Sequence, residues 1–402
     1  MGTVLLAYAV EAQAMRGCTD PLAQNYNAQA DENDGSCTYA PTTIALTDVA
    51  LLDTVVFETS GLAYINQQIW THVDDTNTKI YALQTSTGAL TDSIDLAGTR
   101  NKDWEAMTTD ETHLYIGDFG NNVSGNRQDL TIYKIKLASI QNGPLEIDSI
   151  RFAYEDQTSF GAAPANETDF DAEALAVTKD SILIFTKNWV RNTCKVYHLP
   201  KAAGSAIAQL KDTLAVNGLI TDAYMNDSLK ITTLVGYTNT LQPFVYLMYD
   251  YKGYDFNTGN KRKINLTPAL TQVEAIASED GLRYWLTSER FSRNNTTSDA
   301  QLFALDLSAY LNGYLQGHVT AIENPKTTNY KIYPNPSTGL LQLSGHHLSH
   351  QTINIYNTTG QLVQVCKTQQ LNSNSFSINI QALPKGLYFL QIADTVYKFH
   401  KQ

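Results

Sequence analysis

Five stretches of the sequence repeat one pattern, and an internal repeat restricts the fold more tightly than any single motif. They are "TSGLAYINQQIWTHVD" (59–74), "DWEAMTTDETHLYIGD" (103–118), "DAEALAVTKDSILIFTKN" (171–188), "ITDAYMNDSLKITTLVGY" (220–237) and "QVEAIASEDGLRYWLTSE" (272–289). Each holds two short apolar runs around a polar turn, which is the mark of a β-hairpin. A third apolar run follows every time ("KIYALQ", "LTIYKIK", "CKVYHLP", "FVYLMYD", "QLFALDL"). A fourth follows in the first four units, as in "LTDSIDLAG" and "LEIDSIRFAY". One such unit cannot bury its own apolar faces, so the units must pack on one another. With 23 Tyr and many Thr, Asn and Gly, the composition also favours an all-β chain.

The aligned positions 61, 105, 173, 222 and 274 lie roughly 45–50 residues apart, with one longer interval around "EDQTSFGAAPANETDFD". That period suits four-stranded blades. The fifth unit lacks a fourth strand, and "PTTIALTDVALL" (41–52), ahead of the first unit, could supply it. A first strand that completes the last blade is the ring closure of a β-propeller. The expected architecture is therefore a β-propeller over 41–322, with five blades, or six if the long interval holds another.

In such a ring the first strand of each blade lines the central channel. The aligned column reads Gly61, Glu105, Glu173, Asp222 and Glu274, with Asp103 and Asp171 two residues earlier on the same strand face. Carboxylates gathered around one axis repel, so they must be protonated, hydrated or neutralised by a cation. Calcium suits clustered Asp and Glu oxygens, which makes Asp103, Glu105, Asp171, Glu173, Asp222 and Glu274 a candidate metal set. The alternative is a blade-start signature whose Glu residues accept hydrogen bonds or face channel water.

A second column stands where the second strands end. It holds His72 with Asp74 and Asp75, Asp118 with Asn121 and Asn122, Lys187 with Asn188, Tyr237 with Asn239, and Ser288 with Glu289 and Arg290. Mixed charge at one mouth suits a binding or catalytic site and also any solvated loop end. His72, Asp118, Lys187 and Arg290 are the catalytic candidates, while Phe119 and Trp189 could line the mouth or stack on a sugar ring. There is no Gly-x-Ser-x-Gly elbow, no His-Glu-x-x-His and no phosphate-cradling loop.

The two ends have a different character. "VLLAYAVEAQA" reads as the close of a signal peptide covering residues 1–14. Residues 15–40 contain "GCTDPLAQNYNAQADENDGSCTY", almost without core-forming side chains, where a disulfide between Cys18 and Cys37 would act as a staple. Asp20, Asn25, Asn27, Asp31, Asn33 and Asp34 could offer oxygens to calcium or serve as turn residues. Cys194 and Cys366 read as buried free thiols. After a linker at 323–330, residues 331–402 alternate apolar runs with turns, as expected of a small immunoglobulin-like β-sandwich. A formal net charge of −12 disfavours nucleic acid and anionic lipid as partners. No run is long enough to form a transmembrane segment.

Resemblances add to this reading. The Gly-Cys-Thr-Asp…Asn-Tyr…Asp-Gly-Ser-Cys segment resembles a cysteine-bracketed repeat of Bacteroidota surface proteins. Tyr333-Pro334-Asn335-Pro336, the "IYNTTGQLV" hairpin, "LPKGLYFLQI" and the basic finish resemble the type A C-terminal sorting domain of the type IX secretion system. That likeness implies export through the periplasm to the outer-membrane surface or the medium, with the secretion machinery as partner through 331–402. The middle domain resembles, at superfamily level, secreted propellers that include phytase-like and esterase-like members. Two functions stay open: a binding module for a glycan, peptide or metal-organised ligand, and a calcium-assisted hydrolase of phosphoesters or esters. In the hydrolase, Asp103, Glu105, Asp118, Glu173 and Glu274 would surround the metal while Lys187, Arg290 and His72 held the anion. Binding leads, because an anionic substrate needs net positive charge where carboxylates prevail.

Overall fold

Each repeated unit forms a four-stranded antiparallel set, laid down in chain order in the first four units and completed by an N-terminal strand in the fifth. The computed structural model describes residues 14–74, 77–141, 143–293, 296–321, 331–344, 352–358, 361–367, 375–392 and 395–402. The signal-peptide reading, apart from Ala14, and the linker at 323–330 lie outside the described residues. The chain divides into two compact units, Met1–Gly317 and His318–Gln402.

In the larger unit the first sheet runs Thr59–Ile65, Gln68–Val73, Lys79–Leu83, Leu90–Asp95. The second runs Trp104–Thr109, His113–Asp118, Thr131–Lys136, Ile147–Tyr154, and the third Ala172–Val177, Ser181–Thr186, Cys194–Pro200, Gly204–Leu214. The outer strands of these two sheets pair in parallel, giving one continuous eight-stranded sheet. The fourth runs Leu219–Asn226, Ile231–Tyr237, Pro243–Tyr249, Asn260–Thr267, with Thr43–Ala45 added in parallel at its edge. The fifth has Val273–Ser278, Arg283–Ser288 and Gln301–Asp306 from its own stretch, and its fourth strand is Thr47–Leu51, antiparallel to Gln301–Asp306. The long interval between Tyr154 and Ala172 holds no strand.

First strands touch in chain order around the set, and the fifth returns to the first. Each apolar cluster fills the gap between two consecutive sheets. Trp70 and Ile80 meet Trp104 and Ile116 between the first and second, and Leu62 and Leu83 meet Ala275 and Leu302 between the first and fifth. This explains why Ser181–Thr186 is buried along its whole length while Leu90–Asp95, an outer strand, is mostly exposed. A strand covered on both faces reads as a continuous apolar run. The all-strand reading missed the helix Ser308–Ala321, whose Leu311 packs into the cluster of the fourth and fifth sheets.

The cysteine-bracketed segment carries the Cys18–Cys37 disulfide and docks on the fourth sheet. Asp20 accepts from the hydroxyls of Tyr39 and Tyr249, and Asn33 donates to Asp250 (2.8 Å) and Asn260 (2.9 Å). The side-chain oxygens of Asp20, Asn27, Asn33 and Asp34 each accept the amide two residues on, which is what turn residues do. Cys194 and Cys366 are free, but only Cys194 is buried. Reduction of the disulfide should expose residues 15–39 to protease while the five sheets stay protected, because about 2–4 kcal/mol of chain restraint is lost there alone; limited proteolysis with and without reductant reads this.

In the smaller unit, a three-stranded sheet (Lys331–Tyr333, Leu340–Ser344, Ser375–Asn379) and a four-stranded sheet (Leu362–Lys367, Thr352–Asn357, Gly386–Ile392, Thr395–Lys401) share one core. Leu341, Leu343, Ile353, Ile355, Leu390 and Phe399 fill it.

Candidate functional site

All five first strands carry a β-bulge at the same place. The pairing skips Gly61, Glu105, Glu173, Thr221 and Glu274 in turn. A bulge leaves one residue out of the ladder and re-aims its side chain, so the repeat itself delivers one side chain per sheet to a common place. Gly61 has no side chain because there is no room for one. At φ +56, an added Cβ would stand 2.6 Å from His72 Nε2 and 2.6 Å from the Met107 amide.

The fourth position corrects the sequence alignment by one residue. The skipped residue is Thr221, whose hydroxyl donates to the Val273 carbonyl at 2.7 Å. Asp222 is buried away from the mouth and accepts the amides of Ile276 and Ala223, each at 2.8 Å. Burial holds its carboxyl above the ordinary range even against these amides. Asp222 thus acts as a structural tie between sheets.

A cavity of about 260 Å³ opens at this end of the five first strands. Glu58, Asp74, Glu105, Glu173, Glu274 and Glu289 line it, facing one cationic side chain, Lys187. Lys187 Nζ lies 3.2 Å from Glu173 and 4.0 Å from Glu274, with the rings of Trp189 at 5.0 Å and Tyr237 at 5.4 Å. Burial alone would favour the neutral amine, but Glu173, Tyr237, Glu274 and Glu105 outweigh it and keep the ammonium charged. Lys187, Tyr237 and Glu289 follow the skipped-residue hairpins of the third, fourth and fifth sheets at equivalent places, tied back through Asp171, Leu219 and Gln272.

The carboxyls respond to crowding. Burial first, then Glu173 and Asp103, push Glu105 well above the usual carboxylate range. Glu173 is raised by burial against the opposing pull of Lys187, and Glu274 likewise. Burial and Glu274 bring Glu289 to about 8, where Gln272 Nε2 donates to it at 2.6 Å. Asp103 rises to about 6, from burial and from Asp171.

The paired carboxylates do share a face. A Cβ on Gly120 would meet Asp103 Oδ2 at 2.4 Å and Glu105 Oε1 at 2.5 Å, so both converge on one glycine. Asp103 nevertheless faces Arg127, whose guanidinium lies 4.0 Å away and binds Asp118 at 2.9 Å. Asp171 accepts from the Asn121 amide (2.6 Å) and from Trp189 Nε1 (2.8 Å). Asp103, Asp118, Asp171 and Asp222 therefore stand outside the cavity wall, while Glu105, Glu173 and Glu274 stand in it.

Besides Asp118, two more catalytic candidates are displaced from the mouth. His72 is wholly buried, edge-on to Trp104 at 5.5 Å, with Nδ1 3.2 Å from the Val73 carbonyl. Burial lowers it to about 4, so it is a neutral core imidazole. Arg290 is exposed, its guanidinium over Phe57 at 5.4 Å, and outside the cavity lining. Sequence reading missed Glu58, Ser60, Asn166 and Gln272 of the lining and the compensating Arg127. Of these, Gln272 carried a signal, since it precedes Glu274 as Asp103 precedes Glu105.

Among the described residues, no group of three or more His, Cys, Asp or Glu is arranged to hold a metal ion. No helix among them is long and apolar enough to cross a membrane.

No curated protein matches the sequence. Among solved structures, the chain is similar to PorZ, an essential bacterial surface component of the type-IX secretion system of Porphyromonas gingivalis (13% identity, TM-score 0.30). The match covers 86% of this chain and 45% of PorZ, so the chain spans less than half of that protein. It is also similar to the glutaminyl cyclase of Myxococcus xanthus (12% identity, 66% of this chain and 100% of that one, TM-score 0.39). A third is the computationally designed protein Ika8 (12% identity, 88% and 99% covered, TM-score 0.29). At these scores none of the three bears on function. Residues 331–402, by contrast, match the family described as the secretion system C-terminal sorting domain. The chain is thus an exported protein carrying that sorting domain, addressed to the outer-membrane surface or the medium through the type IX machinery.

Proposed function

We propose that the larger unit is a five-bladed β-propeller, that the smaller is an immunoglobulin-like sandwich, and that the exported protein is a binding module taking a cation at the channel mouth. The observation that carries this is the imbalance of six carboxyl side chains against the single ammonium of Lys187 around one cavity. Supporting the propeller is the cyclic order of the first strands, with Thr47–Leu51 as clasp. Calcium is the inorganic cation proposed, drawn among Glu105, Glu173, Glu274 and Glu289 as a counter-ion rather than chelated, since no three of the described groups are arranged to hold a metal. Their oxygens are the donors calcium takes, and Glu173 Oε1 is buried without a hydrogen-bond partner. The hydrolase reading loses ground because Lys187 is engaged by carboxylates while His72 and Arg290 stand elsewhere.

The test is thermal unfolding of the full chain with chelator and then with millimolar calcium. A ligand of the native state raises the midpoint by an amount that grows with its concentration. The expected result is a rise that Glu105→Gln with Glu173→Gln abolishes. An unmoved midpoint would remove calcium as the occupant.

A further inference from the structure

The mouth cavity is built for more than a bare ion. At about 260 Å³ it is far larger than a single metal needs, since one water takes a share of about 30 Å³. Its carboxyls are spread around the wall, and no three of the described acidic or imidazole groups converge as a chelating set. Between them stand the rings of Trp189 and Tyr237 and the neutral hydrogen-bonding groups of Ser60, Asn122, Asn166 and Gln272. Asn122 and Asn166 come from two loops tied together, the Asn166 amide donating to the Asn122 carbonyl at 2.8 Å and the Ala163 amide to Ser124 at 2.9 Å. The long insertion between the second and third sheets therefore contributes a polar wall to the site.

Two independent features point to what enters. Glu173 lines the cavity at 2% exposure, and its Oε1 has no hydrogen-bond partner. A buried carboxyl oxygen without a donor is costly unless a ligand supplies one. Lys187 shows which donor the wall suits, because its primary ammonium rests between a carboxylate and two aromatic rings, the setting in which protonated amines are held. Lys187 answers Glu173 Oε2 and Glu274 Oε2 alone, so the carboxyls of Glu58 and Glu289 also line the cavity without an ammonium partner within 4 Å among the described residues.

From this geometry we infer that the cavity takes a small organic ammonium ion bearing hydroxyl groups, as presented by a sugar residue with a free amine. The carboxyls hold the charge, the amides of Asn122, Asn166 and Gln272 read the hydroxyls, and Trp189 offers an aromatic wall. The inference rests on the binding reading above and names its ligand class.

Calorimetric titration of the full chain at pH 7 with glucosamine, N-acetylglucosamine and calcium chloride tests it. Glucosamine should bind, and N-acetylglucosamine, the same ring without the charge, at least about tenfold more weakly. An ammonium in the cavity favours the ionised form of Glu289, whose carboxyl burial and Glu274 otherwise hold at about 8. Glu289→Gln should therefore weaken glucosamine and remove the proton release that accompanies its binding, in a protein that still unfolds cooperatively. Asn166→Gly suits the positive φ of 62° at that residue, removes only the amide, and should weaken glucosamine while leaving methylammonium binding unchanged. Equal binding of the two sugars would overturn ammonium recognition and leave the binding module standing. Heat from calcium alone would make the occupant inorganic and overturn the organic ligand. Silence from all three would bring down both readings.

Discussion

Lys187→Met should lower the melting midpoint of the larger unit by roughly 10 °C, the scale expected when about 3–5 kcal/mol is lost by removing one partner of a buried ion pair. The ammonium is the one cation in the cavity wall, and without it Glu173, Glu274 and Glu105 face each other uncompensated. The pH dependence follows from the direction of the shifts. Glu105, Glu173, Glu274 and Glu289 all have folded-state values raised above the unfolded ones, so between the two the native state binds more protons. Stability then falls as pH rises, through about 8 for Glu289. The wild type should melt higher at pH 5.5 than at pH 9. In Lys187→Met the same carboxyls shift further up, so its deficit should be small at pH 5.5 and largest at pH 9. Adding Glu173→Gln should recover part of the loss, a coupling that a double-mutant cycle measures. A deficit independent of pH would mean that Lys187 contributes packing alone.

Deleting residues 41–52 should abolish cooperative unfolding of the larger unit. The deletion removes Thr47–Leu51, and Gln301–Asp306 is left as a bare edge in a set of sheets that otherwise closes on itself. Exposed edges invite association between chains, so the expected product is aggregated or rapidly proteolysed. Grafting the same twelve residues between Leu307 and Ser308 through a short turn should restore soluble, cooperative protein, because the pairing is antiparallel. A deletion variant that melts like the parent would show the clasp to be dispensable.

Much of the larger unit was legible because its hairpins recur with similar length and similar apolar runs, and because the fifth lacks a partner strand that the N-terminal stretch can supply. What escaped has local causes. A bulge leaves no trace in composition, so "TDA" at 221–223 imitates the Glu-Ala of the other units one residue late, and Asp222 took the place of Thr221. His72 and Asp118 end second strands in the sequence, yet His72 points into a packed layer and Asp118 to the Arg127 guanidinium, since strand ends alternate faces and only the register decides which face is wet. Lys187 read as a hook for an anionic substrate because one carboxylate partner, Glu274, lies 87 residues on in the fifth sheet, and the other, Glu173, 14 residues back in its own sheet, is aimed at it by a bulge that sequence does not show. Glu58 and Asn166 sit in connecting segments outside any periodic pattern, where sequence gives no direction to a side chain.

The repeated bulge has an evolutionary consequence. A residue outside the ladder owes little to the alternation that builds the apolar layers, so its identity is free to change without rebuilding a sheet. Glu105, Glu173 and Glu274 are three such settings in the cavity wall, linked to one another only through their charges and Lys187, and Thr221 is a fourth that ties two sheets instead. A lineage, or a designed library, can alter the chemistry of the mouth through these positions without rebuilding a sheet, provided the charge balance with Lys187 is kept, while Gly61 is fixed by its neighbours.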